Sequence, residues 1–252
     1  MIIEIHRKKN KNIGDHFCNP SRYFSFDDIE TYDVLDPNIP ISNNHVIIGG
    51  GGLIHPKFYS SLLKIKSKEP KKIITWGIGF NNDKGNNEEI KDLSFFDDLD
   101  KCGIRDFRNF EFPNTYIPCV SCMHSAFDIK YNVKNKISCF YHYNRRDLSP
   151  KNIPTLDNRQ KDIFKTIKFI GETETLLTDS FHGAYWGQLL GKNVQVVSWS
   201  VKFDYFKNPP IYIEDWNSYK NNISSKKHIN FLDECREKNK VFYAEIKKTI
   251  AD

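Results

Sequence analysis

One short stretch, residues 176–191, combines the residue types that are best suited to chemistry. Two leucines lead into Asp179 and Ser180, and His182 and Gly183 follow within three positions. Asp and Ser cap helices by accepting free amide hydrogens, and the same amides and the helix dipole favour a bound anion. A histidine at such a helix start can add a hydrogen bond or carry a proton. We therefore predict that His182 and Asp179 are catalytic.

A structural role for this histidine is the alternative interpretation. His182 could be a core residue that is hydrogen-bonded to the backbone. The polar residues Thr178, Asp179 and Ser180 precede it, which is more polar character than a simple turn needs. This concentration at a predicted strand end favours a functional site.

The elements that must position this stretch alternate between strands and helices. Residues 44–53 and 71–79 are apolar, β-branched strands that end in glycine, and a short strand over 102–106 has Arg105 at its exit. Such alternation is typical of parallel α/β sheets, whose ligands bind beyond the carboxyl ends of the strands.

Further elements follow from the same patterns. We predict a helix over residues 17–24, a strand over 116–122 and a long amphipathic helix over 232–250. Residues 132–135 carry no pattern, so we predict two α/β units, 1–133 and 134–252, with the long helix closing the second. Two such halves facing each other leave a cleft between them.

Within the stretch 44–53, four consecutive glycines, which include Gly50 and Gly51, follow the β-branched residues of the predicted strand. Their amides could approach a phosphate or a sugar closely. The run lacks the Gly-Lys-Ser/Thr of a P-loop and the spacing of a dinucleotide site. A tight strand-to-helix turn explains the same glycines, and the two roles are compatible.

Two basic residues are candidates for holding an anion. Arg105 offers a planar fork that suits carboxylate and phosphate oxygens. Lys202 lies among aromatic residues after a predicted strand, a combination that suits a sugar face with an anionic group and also suits ordinary packing.

Cysteine spacing raises a structural zinc site as an alternative. Cys119, Cys122, Cys139 and His142 form two pairs at intervals close to those of zinc ribbons. Both pairs lie at the edges of predicted strands, where thiols are also common as small apolar residues.

The composition limits the class of protein. The chain has 252 residues, of which 39% are hydrophobic, and this is enough for one large or two small packed cores. The net charge of +5 comes largely from scattered lysines, without the dense basic stripe or reading motif of a nucleic-acid-binding protein, so we expect no nucleic acid partner. The mild positive charge suits an anionic small-molecule substrate.

The sequence also bears on location. No apolar run approaches the ~20 residues that cross a bilayer, and the N-terminus lacks the pattern of a secretory leader. We therefore expect a cytoplasmic protein. Its six cysteines should then be reduced thiols or metal ligands.

An ordered set of motifs over residues 10–210 resembles the polysaccharide pyruvyl transferase family. The motifs are Asn12-Ile-Gly-Asp15, Gly49-Gly-Gly-Gly52, Trp76-Gly-Ile-Gly79, Arg105-Asp106, Thr178-Asp-Ser-Phe-His-Gly183 and Lys202-Phe203. Residues 118–124 are similar to a variant found in capsule and surface-glycan members. Each motif alone is short, and the resemblance lies in their order.

The resemblance implies two Rossmann-like halves in a GT-B-like arrangement with an interdomain cleft. It also implies transfer of the enolpyruvyl group of phosphoenolpyruvate to two hydroxyls of a sugar, which makes a cyclic pyruvate ketal. Phosphoenolpyruvate is then a co-substrate, with no redox cofactor and no metal. The partners are an anionic small-molecule donor and a sugar or glycan-lipid acceptor, and peripheral membrane association would bring the enzyme to a lipid-borne acceptor. No oligomeric state is predicted.

Carried onto the matching positions, the resemblance assigns the substrate contacts. The expected substrate-binding residues are Asp15, Gly50, Gly51, Arg105, Arg145, Ser180, Gly183 and Lys202.

One position departs from the family pattern. The best-studied members have Arg-Leu-His where this chain has Ser180-Phe181-His182. The missing arginine would hold the anionic groups of the donor, so we expect Lys202, Arg105 or the pair of residues 145 and 146 to supply that charge.

Two other functions are consistent with the same pattern. A glycosyltransferase that uses a nucleotide sugar would share the glycine-rich strand ends and the cleft, so the fold alone does not separate the two enzymes. A non-enzymatic module that binds glycan or zinc is the second alternative.

Overall fold

Two parallel β-sheets, one in each half of the chain, form the framework of the protein. The computed structural model describes residues 1–84, 90, 92–108, 110–148, 150, 152–219 and 230–252, and for residues 146–148 it describes only the backbone.

The first sheet is built from the apolar strands near the N-terminus. Its strands are β1 (Ile2–His6), β2 (Ile29–Asp33), β3 (His45–Ile54), β4 (Lys72–Phe80), β5 (Lys101–Ile104) and β6 (Thr115–Tyr116). They lie in the order β2-β1-β3-β4-β5-β6, and all five pairings are parallel. The central strands β3 and β4 are buried over almost their whole length, as is usual for parallel sheets that are covered on both faces.

The second sheet follows the same design in the second half of the chain. Its strands are β7 (Asn135–Tyr141), β8 (Thr155–Asp157), β9 (Thr173–Thr178), β10 (Asn193–Val197) and β11 (Ile211–Ile213). They lie in the order β11-β10-β9-β7-β8, again all parallel. The prediction of an α/β fold with two parallel sheets is therefore confirmed, and the architecture is consistent with two Rossmann-like halves.

Within the described ranges, five α-helices connect and cover these strands. They are α1 (Ile13–His16), α2 (Pro56–Lys66), α3 (Ile163–Gly171), α4 (Phe181–Leu189) and α5 (Phe231–Ala251). Helix α5 confirms the amphipathic pattern of the C-terminal residues, and its apolar side is buried. Among the described residues, no helix is long and apolar enough to cross a membrane.

The closing helix contacts elements of both halves of the chain. Phe231 and Cys235, near its start, belong to the core of the second half, whereas Phe242 and Ile246 pack with Trp76 of β4. The first sheet lies within the predicted unit 1–133 and the second within 134–252. That division into two domains stays a prediction, with α5 as an element that contacts both.

Three predicted elements are wrong in detail. The strand over 116–122 is only the two residues of β6, because Pro118 cannot donate to a ladder and a 3-10 turn follows at Val120–Met123. The helix over 17–24 is reduced to a 3-10 turn at Pro20–Arg22.

The position of the glycine run is the third feature that differs from the prediction. It lies inside β3 and not after it, and the helix begins only at Pro56. Gly50 and Gly51 have φ of 35° and 83°, in the left-handed region that favours glycine. The register between β3 and β4 shifts just after them, so these glycines make a bulge within the strand.

Candidate functional site

A cavity of about 200 Å³ lies between the two halves of the chain. Its wall combines residues that follow β1, β4 and β5 of the first sheet with residues that follow β7, β9 and β10 of the second. The carboxyl ends of both sheets therefore face the same space.

The position of the cavity agrees with the topology of both sheets. The strand order reverses between β1 and β3 in the first sheet and between β7 and β9 in the second. Ligands of open α/β sheets bind outside such reversal points. Here Asn10 and Asn12 follow β1, and Ser180 follows β9, and all three line the cavity. Each sheet thus presents its expected binding edge to the other.

His182 lies at the contact of the two halves and is 3% exposed. A Cβ placed on Gly14 of α1 would lie only 1.9 Å from His182 Nδ1, so the backbone of α1 lies against the ring. On the other side, His182 Nε2 is 3.5 Å from the Cys119 thiol. Burial, together with Arg105 and Lys202, holds the pKa of His182 well below its usual value. The imidazole is therefore neutral near pH 7.

Arg105 is a buried cation on the cavity wall. It is 5% exposed, and its guanidinium carbon lies 3.6 Å from the centre of the Phe181 ring. Within the described part of the chain, Arg105 Nε has no hydrogen-bond partner. This Nε is buried against the Gly79 backbone, so an oxyanion in the cavity would meet the terminal N–H groups of the guanidinium, whose planar fork suits such a ligand.

Lys202 adds a second buried cation. Its Nζ donates to Asn81 Oδ1 at 2.9 Å and lies 3.8 Å from the centre of the Trp199 ring. Burial, and to a smaller extent the charge of Arg105, lowers the pKa of Lys202 to about 7. This amine can therefore be charged or neutral at physiological pH.

Asp15 is the carboxyl group on the cavity wall. Helix α1 holds it there, with Asn12 as the N-cap, and Asp15 Oδ2 accepts from Asn10 Nδ2 at 2.6 Å. Burial raises the pKa of Asp15, and Arg105 opposes this shift. A carboxyl group with a raised pKa keeps its proton to a higher pH than a free aspartate does, which suits a proton donor.

Ser180 has two roles that the local sequence explains. It is the N-cap of α4, accepting from the Gly183 amide at 3.4 Å, and it also lines the cavity. The predicted strand-to-helix transition is confirmed, with Ser180 as its cap.

Asp179 lies behind the cavity wall and is completely buried. Its Oδ1 accepts from the His142 amide at 2.6 Å, and its backbone carbonyl accepts from Trp199 Nε1 at 2.8 Å. Burial raises its pKa to about 6. Asp179 thus orients two residues of the wall, and its direct role in catalysis stays a prediction.

Four other predicted substrate contacts do not line the cavity. Arg145 is paired with Asp179, at 3.3 Å between Nε and Oδ2. A Cβ on Gly183 would lie 2.3 Å from Thr178 Oγ1, and one on Gly50 would lie 2.2 Å from the Cys18 carbonyl. These glycines permit close packing, and Gly51 lies beside Gly50 in the β3 bulge. Their substrate contacts stay predictions, and the side chain of Arg146 lies outside the described part of the structure.

The four candidate zinc ligands are not gathered into a site. Cys119 and Cys122 belong to one core cluster and Cys139 to another. Among the residues whose placement is described, no group of three or more His, Cys, Asp or Glu side chains could hold a metal ion. All six cysteines are buried free thiols.

Sequence reasoning missed several residues of the wall. Arg7, Asn10, Asn81 and Trp199 all line the cavity. Asn81 directly follows β4, and Arg7 directly follows β1. Polar residues at the exits of parallel strands are the signal that could have identified them.

Comparison with known proteins concerns the fold. No protein-family model and no curated protein matches the chain. The chain is similar to the crystal structure of an uncharacterized protein from Klebsiella pneumoniae subsp. pneumoniae NTUH-K2044, with a TM-score of 0.50 and 18% identity. The similarity covers 84% of this chain and 92% of that chain. At this level of identity, the similarity describes a shared α/β fold with parallel sheets and assigns no family.

Proposed function

We propose that the protein transfers the enolpyruvyl group of phosphoenolpyruvate to two hydroxyls of a sugar in a surface polysaccharide or its precursor. The proposal is supported by the buried guanidinium of Arg105, which lines the same cavity as Lys202 and forms no ion pair within 4 Å in the described part of the chain. Two buried cations suit a donor that carries both a phosphate and a carboxylate.

The size of the cavity supports a small donor. Its volume of about 200 Å³ lies below the range of ~300–1,000 Å³ that is usual for pockets of drug-sized ligands. A three-carbon phosphate is a better match to this space than an entire nucleotide sugar. Volume and charge together favour pyruvyl transfer over the glycosyltransferase alternative.

The reaction begins with protonation of the enol carbon of the donor. Asp15 is the proposed acid, because it lines the cavity and burial raises its pKa. The proton converts the terminal carbon to a methyl group and leaves a cation at the central carbon. Arg105 and Lys202 hold the anionic groups during this step.

Ketal formation then consumes two sugar hydroxyls. The first attacks the central carbon and loses its proton to the neutral His182. The carbon–oxygen bond to phosphate breaks, and phosphate leaves with the electron pair. The second hydroxyl attacks the same carbon and closes the ketal. One of the two released protons replaces the proton given by Asp15, and the other leaves on phosphate.

Transfer of an isotopic label tests this function. Phosphoenolpyruvate that carries ¹³C in its three carbons is incubated with the protein and with glycans or glycan-lipids from the organism that carries the gene. We expect the label in the glycan, as a cyclic ketal, together with an equal amount of free phosphate. Label-free glycan in this assay and sugar transfer from nucleotide sugars in a parallel one would support the glycosyltransferase instead.

A further inference from the structure

A second cavity, of about 500 Å³, lies beside the first. Its wall combines the segment around α1 with Arg159 and Lys161, which follow β8. The Ile13 amide donates to the Asn158 carbonyl at 2.8 Å, so the two halves are joined at this place. The cavity therefore lies at the carboxyl-end edge of both sheets, as the first one does.

The wall of this second cavity is strongly basic. Lys11, Arg22, Arg159 and Lys161 all contribute, whereas the described wall includes no Asp or Glu. Arg159 is paired with Asp157. In the part of the chain that the structure covers, Lys11, Arg22 and Lys161 form no ion pair within 4 Å. Three cations are thus available to an anionic ligand.

The same wall offers an aromatic surface. Phe17 is half-buried, and the Arg22 guanidinium carbon lies 4.4 Å from the centre of its ring. Aromatic rings beside cations suit ligands that combine an apolar face with charged groups. A saccharide that carries carboxylates or phosphates has this combination, because its C–H faces are apolar and its substituents are negative.

The two cavities share a residue and are separated by one short helix. Asn10 lines both of them. Helix α1 directs Asp15 to the first cavity and His16 to the second. A ligand in the second cavity would therefore lie next to the first cavity, with Asn10 at their boundary.

We propose that the second cavity binds an anionic saccharide, one that bears uronate carboxylates or phosphate esters. Its role as the acceptor subsite rests on the proposed pyruvyl transfer, whereas the binding itself does not. The net charge of the wall selects acidic chains over neutral ones. The enzyme would then act on acidic glycans.

Titration calorimetry with three probes tests this proposal. The probes are tri-galacturonate, glucose 1-phosphate and the neutral maltotriose. We expect tri-galacturonate or glucose 1-phosphate to bind, with affinity that falls as salt rises, and maltotriose to bind at least tenfold more weakly. Binding by tri-galacturonate alone identifies a uronate ligand, and binding by glucose 1-phosphate alone identifies a phosphate ester. Equal binding of all three probes, or binding of none, would overturn the proposal.

A matched pair of variants locates the site. Lys11→Gln with Lys161→Gln removes two cations of the wall, whereas Lys240→Gln with Lys248→Gln removes two exposed cations of α5. The first double variant should weaken the acidic probe by about three- to tenfold, and the second should leave it unchanged. Equal affinity in both variants would contradict the assignment.

Phosphoenolpyruvate binding separates this proposal from the proposed function. Both double variants should bind phosphoenolpyruvate as the unaltered protein does. If acidic saccharides bind and phosphoenolpyruvate does not, the pyruvyl transfer fails while the saccharide site stands.

Discussion

His182 receives contacts from both halves of the protein, which explains its electrostatic state. The backbone of α1 lies on one side of the ring, and Trp186 of α4 lies 5.2 Å away between ring centres. Because the ring is buried next to Arg105 and Lys202, the pKa of His182 is low and the imidazole stays neutral. A neutral histidine can accept a proton from a sugar hydroxyl, so we assign it as the base.

Replacement of His182 tests that assignment. His182→Gln keeps a polar side chain of similar length but cannot accept a proton. We expect turnover to fall by about 10²–10⁴-fold, with phosphoenolpyruvate binding retained, because the cations that hold the donor remain. Phosphate release measures turnover, and circular dichroism checks the fold. Turnover equal to that of the unaltered protein would exclude His182 as the base.

Because of Lys202, the stability of the protein should rise with pH while its affinity for an anionic donor falls. Its pKa is about 7 in the folded chain against an ordinary value of 10.5. Between these values the unfolded chain binds more protons than the folded one, so stability from this group rises with pH. The affinity for an anionic donor falls over the same interval, because the amine loses its charge.

Measurements at two pH values test the Lys202 prediction. From pH 6.5 to 8.5, urea unfolding should show the unaltered protein gaining stability relative to Lys202→Met. Calorimetry should show phosphoenolpyruvate binding more weakly at the higher pH. Parallel stability curves for the two proteins would mean that Lys202 titrates normally.

At the scale of elements, α1 is the short helix that closes the first cavity over His182. Gly14→Ala should destabilise the protein, although alanine is about 1 kcal/mol better than glycine inside a helix. The reason is that the added Cβ would lie 1.9 Å from His182 Nδ1. Urea unfolding measures the loss, and turnover should fall with it.

A double-mutant cycle separates the clash from a general effect of the substitution. Gly14→Ala combined with His182→Ala has room for the new methyl group, so the pair should be more stable than the sum of the single changes predicts. Additive free energies of unfolding would show that α1 does not press on the ring.

The elements that the sequence predicted well are those with a local cause. The strand that runs into Ser180 and the helix after it follow from apolar residues and a cap, and α5 follows from its amphipathic period. The bulge at Gly50 and Gly51 was missed, because four glycines also suit a turn and only the pairing of β3 with β4 decides between them.

Only part of the candidate site could be predicted from the sequence, because tertiary packing decides which side chains reach the cavity. Asp15, Arg105, Ser180, His182 and Lys202 could be selected as polar residues after predicted strands or within motifs, and all of them line the cavity. Asp179 has the same character, yet its side chain points behind the wall toward the His142 amide. The direction of a side chain after a strand depends on tertiary packing, which a local pattern does not contain.

In the molecule as a whole, a buried polar contact holds α5 on the first half of the chain. Trp76 Nε1 of β4 donates to Asn239 Oδ1 at 2.8 Å, and Asn239 Nδ2 donates to the Pro118 carbonyl at 3.2 Å. Asn239 is completely buried. This contact therefore fixes α5 to β4 and to the segment after β6, while Phe231 of the same helix packs beside Tyr185 of α4.

Loss of the Asn239 amide should therefore destabilise the protein. Asn239→Ala leaves a buried donor and a buried acceptor unpaired, at a cost of about 1–3 kcal/mol for each group. The control is Glu237→Ala on the exposed side of the same helix, which should change stability by less than about 0.5 kcal/mol. Urea unfolding compares the two, and equal stabilities would mean that the Asn239 contact does not stabilise the packing of α5 on the first half.

In the proposed function, the cavity between the sheets binds phosphoenolpyruvate through Arg105. Calorimetric titration of phosphoenolpyruvate into the purified protein at pH 6.5, with Arg105→Lys as the matched variant, tests it most directly. We expect one site in the unaltered protein and about tenfold weaker binding in the variant, because lysine keeps the charge but lacks the planar fork. Absence of phosphoenolpyruvate binding, or equal binding by both proteins, would contradict binding of the donor through Arg105.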